Sequence, residues 1–345
     1  MIKVEKLGII LSPTHRTFEN NAVLNPGIYQ EGNTVHLFYR AVQEGNLSTI
    51  GYAKTSGPTS IITRHEVPLI NCDFMYEQKG VEDARIVKIE DTFYLTYTAY
   101  DGINAMGALA TSKNLLDFEK HGIITPQINY LEYAYLINYH NKKLNPKYRH
   151  YYHLFAEMGV VADKFRFLRD KDLVLFPKKI KGKFALLHRI WPGIQIVYYD
   201  DIQELTKLFW EEYLKNLADF IVMDPVDVFE INYIGAGGPP IETEYGWLLL
   251  YHGVQATTKG NIYHTRAALL KLEDPKVVLS RIPYPIFSPT TKWELEGVVN
   301  AVVFPSGHAL FDNDLYIYYG AADKHIAVAK LNIQELLSEL KQHIK

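Results

Sequence analysis

The feature of this sequence that most limits its fold is a strand pattern that occurs five times. In each copy an apolar segment is followed by a turn and then by an aromatic strand that ends in a polar residue, and most copies continue into a third strand. The aromatic strands end near Arg40, Asp101, His188–Arg189, His252 and Asp323, about 60 to 90 residues apart. Long-period repeats of short strands are typical of propellers and arrays. We therefore predict an all-β fold, a five-bladed β-propeller with peripheral helices.

The repeat accounts for nearly the whole chain, so we expect residues 1–345 to form a single propeller domain. Apolar residues at helical spacing predict peripheral helices over about 201–219 and about 332–344, with Asn332 capping the second. Residues 127–165 interrupt the repeat. We interpret them as a long insertion with some strand, which either packs on the side of the propeller or forms a pocket wall or oligomer contact.

The second copy shows where the functional groups should gather. Val81–Ile89 and Thr92–Tyr100 have the composition of two strands joined by a tight turn. Antiparallel pairing brings the start of the first strand next to the end of the second. Glu82, Asp83 and Arg85 should then share a rim with Asp101. In a propeller, all five strand ends would converge on one central pocket.

Composition excludes several classes of function. The formal net charge is -3, so the chain has no electrostatic footprint for nucleic acid or an anionic membrane. Its one cysteine, Cys72, suits a reducing compartment, and neither a signal peptide nor a long apolar run is present. No phosphate-loop, dinucleotide-binding or metal-binding motif is found. We expect a cytoplasmic protein without a metal or a resident cofactor.

The charges at the predicted rim favour carbohydrate chemistry. The acidic residues are Glu82, Asp83, Asp101, Asp172 and Asp323. The cationic or donor residues are Arg40, Arg85, Lys171, Arg189 and His252, with His188 or Tyr263 nearby. Glycosyl transfer needs an acid for the leaving oxygen, and an inverting hydrolase also needs a base to activate water. The Arg, Lys and His residues predict an excess of cationic side chains at the rim, which suits a bound phosphate instead, although each residue alone could be a structural ion pair.

Motifs in the same order and spacing resemble those of glycoside hydrolase family 130, the mannoside phosphorylases and related β-mannosidases. The resemblance covers nearly the whole chain. It includes NPG at Asn25, FYRAV at Arg40, GVEDARI at Glu82–Arg85, TYTAYDG at Asp101, KDLVLFP through LHR at Lys171–Arg189, LLLYHGV at His252 and YYGAAD at Asp323. The family fold is a five-bladed propeller, in agreement with the repeat count.

The resemblance implies an inverting mechanism and a role for each motif residue. Asp101 corresponds to the general acid, which in the phosphorylases acts through a mannosyl hydroxyl. The implied phosphate-binding residues are Lys171, Arg189, His252 and Tyr263. The implied substrate-binding residues are Asn25, Arg40, Glu82, Asp83, Arg85 and Asp323. Two departures are Ala84, where many relatives have proline, and the insertion, which is longer than expected for the family and leaves the acceptor specificity and the oligomer contacts open.

The resulting hypothesis is phosphorolysis of β-mannosides, with inorganic phosphate as co-substrate and α-mannose 1-phosphate as product. The partners would be a β-mannoside oligosaccharide and phosphate, with no nucleic acid or membrane, and a homo-oligomer stays open. The resemblance also implies that family members that hydrolyse β-mannosides lack the basic residues of the phosphate site. This chain keeps those residues. The alternatives are an inverting β-mannosidase that uses water and a non-catalytic carbohydrate-binding propeller.

Overall fold

A computed structural model describes residues 2–140, 142–150 and 165–344. Its strands form five antiparallel blades. The first blade consists of β2 (Ala22–Glu31), β3 (Thr34–Val42), β4 (Ser48–Ser56) and β5 (Ser60–Arg64). The second consists of β6 (Gly80–Ile89), β7 (Thr92–Tyr100), β8 (Ala105–Ser112) and β9 (Phe118–Ile123).

The remaining blades continue the same order along the chain. The third consists of β10 (Lys171–Leu175), β11 (Phe184–Arg189), β12 (Ile194–Tyr199) and β13 (Ile221–Met223). The fourth consists of β14 (Tyr233–Ala236), β15 (Ile241–Thr243), β16 (Gly246–Thr257), β17 (Gly260–Leu270) and β18 (Val278–Arg281). The fifth consists of β19 (Val303–Phe311), β20 (Asp314–Ala321), β21 (His325–Asn332) and, from the start of the chain, β1 (Glu5–Leu11).

The blades form a ring around their first strands. Strand β2 contacts β6, β6 contacts β10, and β10 contacts β14, while β16 and β17 of the fourth blade contact β19. Strand β19 in turn contacts β2, and β1 pairs antiparallel with β21 to complete the fifth blade. The fold is a five-bladed β-propeller, which confirms the prediction from the repeat. No helix among the described residues is long and apolar enough to cross a membrane.

The outermost strand of each blade was not predicted from the sequence. The repeat predicted three strands per copy, but β5, β9, β13, β18 and β1 add a further strand at the outer edge. These strands are short or partly exposed, as in the pattern of Ser60–Arg64, which has no buried residue. A strand without a regular buried face gives no apolar alternation, so its sequence lacks the signal on which the prediction depended.

The helices lie outside the ring. Helix α1 (Tyr130–Leu136) begins the insertion and is capped by Asn129, and α2 (Lys207–Lys215) is capped by Thr206. Short 3₁₀ turns precede and follow α2, so the predicted helix over 201–219 is shorter than expected. Helix α3 (Lys292–Leu295) precedes the fifth blade. The last helix, α4 (Ile333–Gln342), has the predicted cap at Asn332.

The insertion packs against the third blade. Tyr133 and Leu136 of α1 share a buried apolar cluster with Trp210 of α2 and Leu186 of β11. The strand expected in this segment is wrong for residues 127–140, which contain a helix because apolar residues recur there at helical spacing. Residues 151–164 of the predicted insertion lie outside the described part of the chain.

A buried tyrosine–glutamate pair recurs in four blades. The second strand of each carries a tyrosine whose hydroxyl donates to a fully buried glutamate from the turn that precedes the blade. The pairs are Tyr39–Glu19, Tyr97–Glu77, Tyr251–Glu230 and Tyr319–Glu294, at 2.7, 2.7, 2.7 and 2.8 Å. Each glutamate also meets a cation: Arg64, Lys120, Arg281 or Lys6.

The third blade replaces this pair with a histidine. His188 Nδ1 lies 2.7 Å from Asp170 Oδ2, and its Nε2 lies 2.8 Å from the Tyr213 hydroxyl. His188 is fully buried, so it belongs to the core and not to the rim where sequence analysis had considered it. Because side chains alternate along a strand, the next residue, Arg189, points to the other face.

Candidate active site

Three short polar residues enter the site from left-handed backbone positions. Asn25, Asp83 and Asp172 have φ angles of 46°, 53° and 55°. Each lies at a register shift in the first strand of its blade, in β2, β6 and β10. Asn and Asp tolerate this conformation better than other residues with side chains. The bulge turns each side chain out of the regular alternation, and three successive blades thereby bring a polar group to one place.

The first group of charges is a carboxylate cluster formed by Glu82, Asp83, Arg40 and Lys171. Arg40 Nη2 lies 2.7 Å from Glu82 Oε1, and Arg40 Nη1 lies 3.8 Å from Asp83 Oδ1. Lys171 Nζ lies 3.4 Å from Glu82 Oε2 and 3.7 Å from Asp83 Oδ2. Burial by itself would raise the pKa of Asp83, but Lys171, Arg40 and Arg85 together lower it to about 2. Asp83 is therefore ionised at neutral pH.

Asp323 and Arg85 border this cluster. Burial, reinforced by the nearby carboxylates of Asp83 and Glu82, raises the pKa of Asp323 to about 6 despite the presence of Arg40. Arg85 is 1% exposed and donates from Nε to the carbonyl of Gly237 at 2.5 Å, which links the second blade to the fourth. Asn25 donates to Asp83 Oδ1 at 2.8 Å. The cluster thus contains acceptors, donors and one carboxyl group that titrates close to neutral pH.

The second group is an arginine–histidine cluster formed by Arg189, Asp172, His252, Tyr233 and Tyr263. Arg189 Nε lies 2.7 Å from Asp172 Oδ2, and the guanidinium carbon lies 4.7 Å from the centre of the Tyr233 ring. The Tyr233 and Tyr263 hydroxyl oxygens are 2.6 Å apart. His252 is fully buried, and its Nε2 lies 3.8 Å from Asp172 Oδ2.

His252 is uncharged in this environment. Burial lowers the pKa of its ring to about 3, and Arg189 and Arg85 oppose a further positive charge, although Asp172 favours it. A neutral imidazole donates one hydrogen bond and accepts one. His252 therefore contributes to this cluster as a hydrogen-bonding group and not as a cation.

Buried polar atoms without partners mark the surface that a ligand would satisfy. Among the residues that the structure describes, these site atoms are Asn25 Oδ1, Arg85 Nη2 and both ring nitrogens of His252. Nearly all buried polar groups in proteins have a hydrogen-bond partner, and an exception calls for an explanation. These atoms belong to His252 of the arginine–histidine cluster and to Asn25 and Arg85, which lie beside the carboxylate cluster.

The balance of charge differs from the expectation of a cationic excess. Each cation that was predicted for phosphate has a carboxylate partner, because Lys171 lies beside Glu82 and Asp83 while Arg189 is paired with Asp172. Lys171 also lies opposite Arg189 in the β10–β11 ladder, so it stands between the two clusters. The two clusters are adjacent and nearly neutral together, and an anion would have to share Arg189 with Asp172.

Asp101 lies apart from both clusters. It follows β7, and its Oδ1 accepts from the backbone N–H groups of Ile103 and Asn104 at 2.7 and 2.6 Å. Its Oδ2 accepts from the side-chain amide of Asn104 at 2.9 Å. The β6–β7 register, in which Gly80 faces Tyr100, puts Asp101 at the same end of the hairpin as Glu82, as the sequence predicted. Its carboxylate is nevertheless held within its own loop.

Three residues of the site were not among the site residues predicted from the sequence. Asp172 had been noted only as a rim acid, although its place in the third blade matches that of Asn25 and Asp83, and this repeat was the available signal. Tyr233 begins β14 and belongs to no recognisable motif. Asn104 contacts Asp101 from three residues further along the chain, where its side chain is buried.

The end away from the charged clusters opens into a cavity of about 500 Å³. Its lining includes Ile28, Ile86, Pro177, Pro239 and Ile241, which follow the site residues along the chain. The lining also includes the charged residues Lys88, Glu90 and Glu242.

Comparison with known proteins identifies relatives over the whole length. The chain matches the profile of the glycoside hydrolase 130 family, described as β-1,4-mannooligosaccharide phosphorylase, over residues 10–175 and 150–342. It is 32% identical to a 1,2-β-oligomannan phosphorylase of Thermoanaerobacter sp. strain X514, across 97% of this chain and 99% of that protein. It is also 32% identical to a β-1,2-mannobiose phosphorylase of the same strain, across 95% and 96%.

Solved structures show the same fold. The β-1,2-mannobiose phosphorylase of Listeria innocua, in complex with β-1,2-mannobiose, superposes with a TM-score of 0.73 at 24% identity, across 99% of this chain and 100% of that one. A structure from work on family members that hydrolyse β-1,2-mannosidic linkages in Candida mannan gives 0.71 at 22% identity, across 96% and 94%. These likenesses concern the fold.

Proposed function

Since this chain belongs to glycoside hydrolase family 130, we propose that it is an inverting phosphorylase of β-mannosides. The observation that carries the proposal is the arginine–histidine cluster next to the carboxylate cluster. His252 has two unpartnered ring nitrogens in a buried position, and Arg189 lies beside it with its guanidinium over Tyr233. Arginine suits a phosphate because its planar fork can donate two parallel hydrogen bonds.

In the proposed reaction, phosphate occupies the arginine–histidine cluster and the mannosyl unit occupies the carboxylate cluster. A phosphate oxygen forms a bond to the anomeric carbon from one face while the glycosidic bond breaks on the other. Arg189, His252 and Tyr263 hold phosphate, and Lys171 lies between phosphate and sugar. The product is α-mannose 1-phosphate.

The proton for the leaving oxygen comes from Asp101 in this proposal, relayed over a mannosyl hydroxyl. Asn25, Arg40, Glu82, Asp83, Arg85 and Asp323 position the sugar. Asp83 is well suited to accept hydrogen bonds from sugar hydroxyls because it is ionised and fixed by Asn25. Phosphate is the only co-substrate that this scheme requires, and no further cofactor is proposed.

We propose β-1,2-linked mannosides as the substrates to test first. The two relatives that align over nearly the full length are both named for β-1,2-linked substrates, whereas the family description names β-1,4-linked ones. The single cysteine agrees with a cytoplasmic enzyme, in which phosphate would be available as a metabolite.

The role of Arg189 tests the proposed phosphate site. Arg189→Ala should raise the phosphate KM at least about tenfold, the loss expected for a charge-assisted hydrogen bond of about 1.5 kcal/mol or more, while the mannoside KM changes little. Arg189→Lys should restore only part of the phosphate affinity because an ammonium lacks the planar fork. The measurement is initial rate over a phosphate series.

A different result would follow if Arg189 served only to pair with Asp172. The Arg189→Ala variant would then be less stable but would keep its phosphate KM. Asp172→Asn provides the matched control, because it breaks the same ion pair while leaving Arg189 in place. Phosphate affinity should survive that substitution better than it survives the loss of Arg189.

A further inference from the structure

Asn104 is buried between Asp101, the candidate acid, and the segment at residues 165–167 that leads out of the insertion. It is 6% exposed. On one side its amide donates to Asp101 Oδ2 at 2.9 Å, its backbone N–H donates to Asp101 Oδ1 at 2.6 Å, and its carbonyl accepts from the Asp101 backbone at 3.3 Å. Asn104 therefore contacts Asp101 through both its side chain and its backbone.

On its other side Asn104 holds the segment that leads out of the insertion. Its amide also donates to the carbonyl of Phe165 at 3.1 Å, and its Oδ1 accepts from the backbone N–H of Phe167 at 2.8 Å. Both amide protons and the amide oxygen of the side chain are thereby engaged, one proton by Asp101 and the other groups by this segment. An amide is the one side chain of this size that can donate twice and accept at once.

The same segment continues to the arginine–histidine cluster. Three residues after Phe167, the backbone N–H of Asp170 donates to the carbonyl of Ala105 at 3.1 Å. The Asp170 carboxylate accepts from the Arg189 backbone N–H at 3.2 Å and contacts the His188 ring. Residues 165–170 thus connect the loop of the candidate acid to the strand that carries the candidate phosphate arginine.

We propose that Asn104 is a positioning residue that fixes the Asp101 carboxylate and couples its orientation to the insertion. This proposal rests on the proposed role of Asp101 as the acid. A carboxylate held by two backbone N–H groups on one oxygen and by a side-chain amide on the other has one orientation. Small errors in the placement of a catalytic group cost large factors in rate. The insertion therefore influences proton delivery through Asn104.

The test compares two substrates that differ in their need for an acid. β-1,2-Mannobiose has a poor leaving group, whereas 2,4-dinitrophenyl β-mannoside releases a stable anion without protonation. With saturating phosphate, Asn104→Ala should lower kcat on mannobiose roughly 10- to 100-fold, a part of the typical contribution of a general acid. The kcat of the same variant on the dinitrophenyl substrate should fall by less than about threefold, and its phosphate KM should stay unchanged.

A second variant separates positioning from folding. Asn104→Asp has nearly the same shape and can still accept from the Phe167 N–H, but it donates to neither Asp101 nor the Phe165 carbonyl. It should show the same dependence on the leaving group as Asn104→Ala. Asn114→Ala is the control, because Asn114 forms a comparable amide–carboxylate pair with Asp117 at 2.7 Å in the turn before β9, away from the site.

Each outcome separates this proposal from the proposed function. Equal losses on both substrates would assign Asn104 a structural role only, and unchanged turnover of mannobiose in both variants would also overturn its positioning role. In either case a large loss on mannobiose in Asp101→Asn would leave the proposed acid in place. If Asp101→Asn itself kept normal turnover of mannobiose, the assignment of Asp101 would fail, and the proposal for Asn104 with it.

Discussion

Asp323 is the site residue whose charge state changes most readily. It lies in the turn between β20 and β21 with a left-handed backbone, φ 50°. Burial and the neighbouring carboxylates raise its pKa to about 6 from the ordinary 3.8. In the unfolded chain it would ionise near the ordinary value. The folded state therefore loses stability as the pH rises from about 4 to about 6, and this cost is fully present at neutral pH.

Replacing Asp323 should remove this pH-dependent cost. We expect Asp323→Asn to gain stability relative to wild type between pH 4 and pH 7.5, by on the order of 1 to 3 kcal/mol. The measurement is the free energy of unfolding in urea for both proteins at the two pH values. A difference between the proteins that stays constant with pH would show that Asp323 titrates normally. Substrate binding should be weaker in the variant in any case.

At the scale of elements, the buried tyrosine–glutamate pairs fix the second strand of four blades to the turn before it. In the fifth blade the pair also involves the ring closure, because Lys6 of β1 donates to Glu294 Oε2 at 2.6 Å and to the carbonyl of Ser288 at 2.8 Å. Glu294 is fully buried. The pKa of Glu294 is lowered because Lys6, two backbone N–H groups and Tyr319 together outweigh the effect of burial.

Removing the lysine should leave a buried carboxylate without its cation. Lys6→Met is expected to lower the free energy of unfolding by about 3 kcal/mol at neutral pH, the range for breaking a buried ion pair. The defect should shrink in acid, because the native stabilisation of a carboxylate with a lowered pKa is lost as the pH falls. Urea unfolding at neutral and acidic pH measures both effects.

The matched control is Lys330→Met on β21 of the same blade. Lys330 lies 3.4 Å from Glu5 and 3.7 Å from Asp314, and these acids are well exposed. Exposed pairs of this kind contribute little to stability. A similar loss in both variants would indicate that strand packing, and not the buried charge, determines the effect of Lys6.

At the scale of the whole molecule, the repeat was sufficient to predict the ring. The second strand of each copy is rich in apolar and aromatic residues and largely buried, and its polar end indicates where the blade meets the axis. The same reasoning predicted that Glu82, Asp83, Arg40 and Lys171 come together, and their side chains do so. It also located Arg189 near His252, since their strands belong to adjacent blades.

The repeat did not predict which charged side chains of neighbouring blades pair with each other. Lys171 and Glu82 are 89 residues apart in sequence, and Arg189 could equally have remained free for an anion. Which carboxylate meets which cation depends on the left-handed bulges at Asp83 and Asp172, and bulges leave no periodic signal. The expected cationic excess was wrong for this reason. The contact of Asn104 with Asp101 was likewise not predictable from the repeat, because Asn104 is also bound to residues 165–170, which lie outside it.

In the proposed reaction phosphate, and not water, cleaves the mannoside. The direct measurement is a time course of β-1,2-mannobiose with the purified protein, with and without inorganic phosphate, followed by ³¹P and ¹H NMR. We expect mannobiose to be consumed only with phosphate, with α-mannose 1-phosphate as the first product together with mannose in equal amount. Release of mannose at the full rate in the absence of phosphate would contradict this proposal and would identify a β-mannosidase.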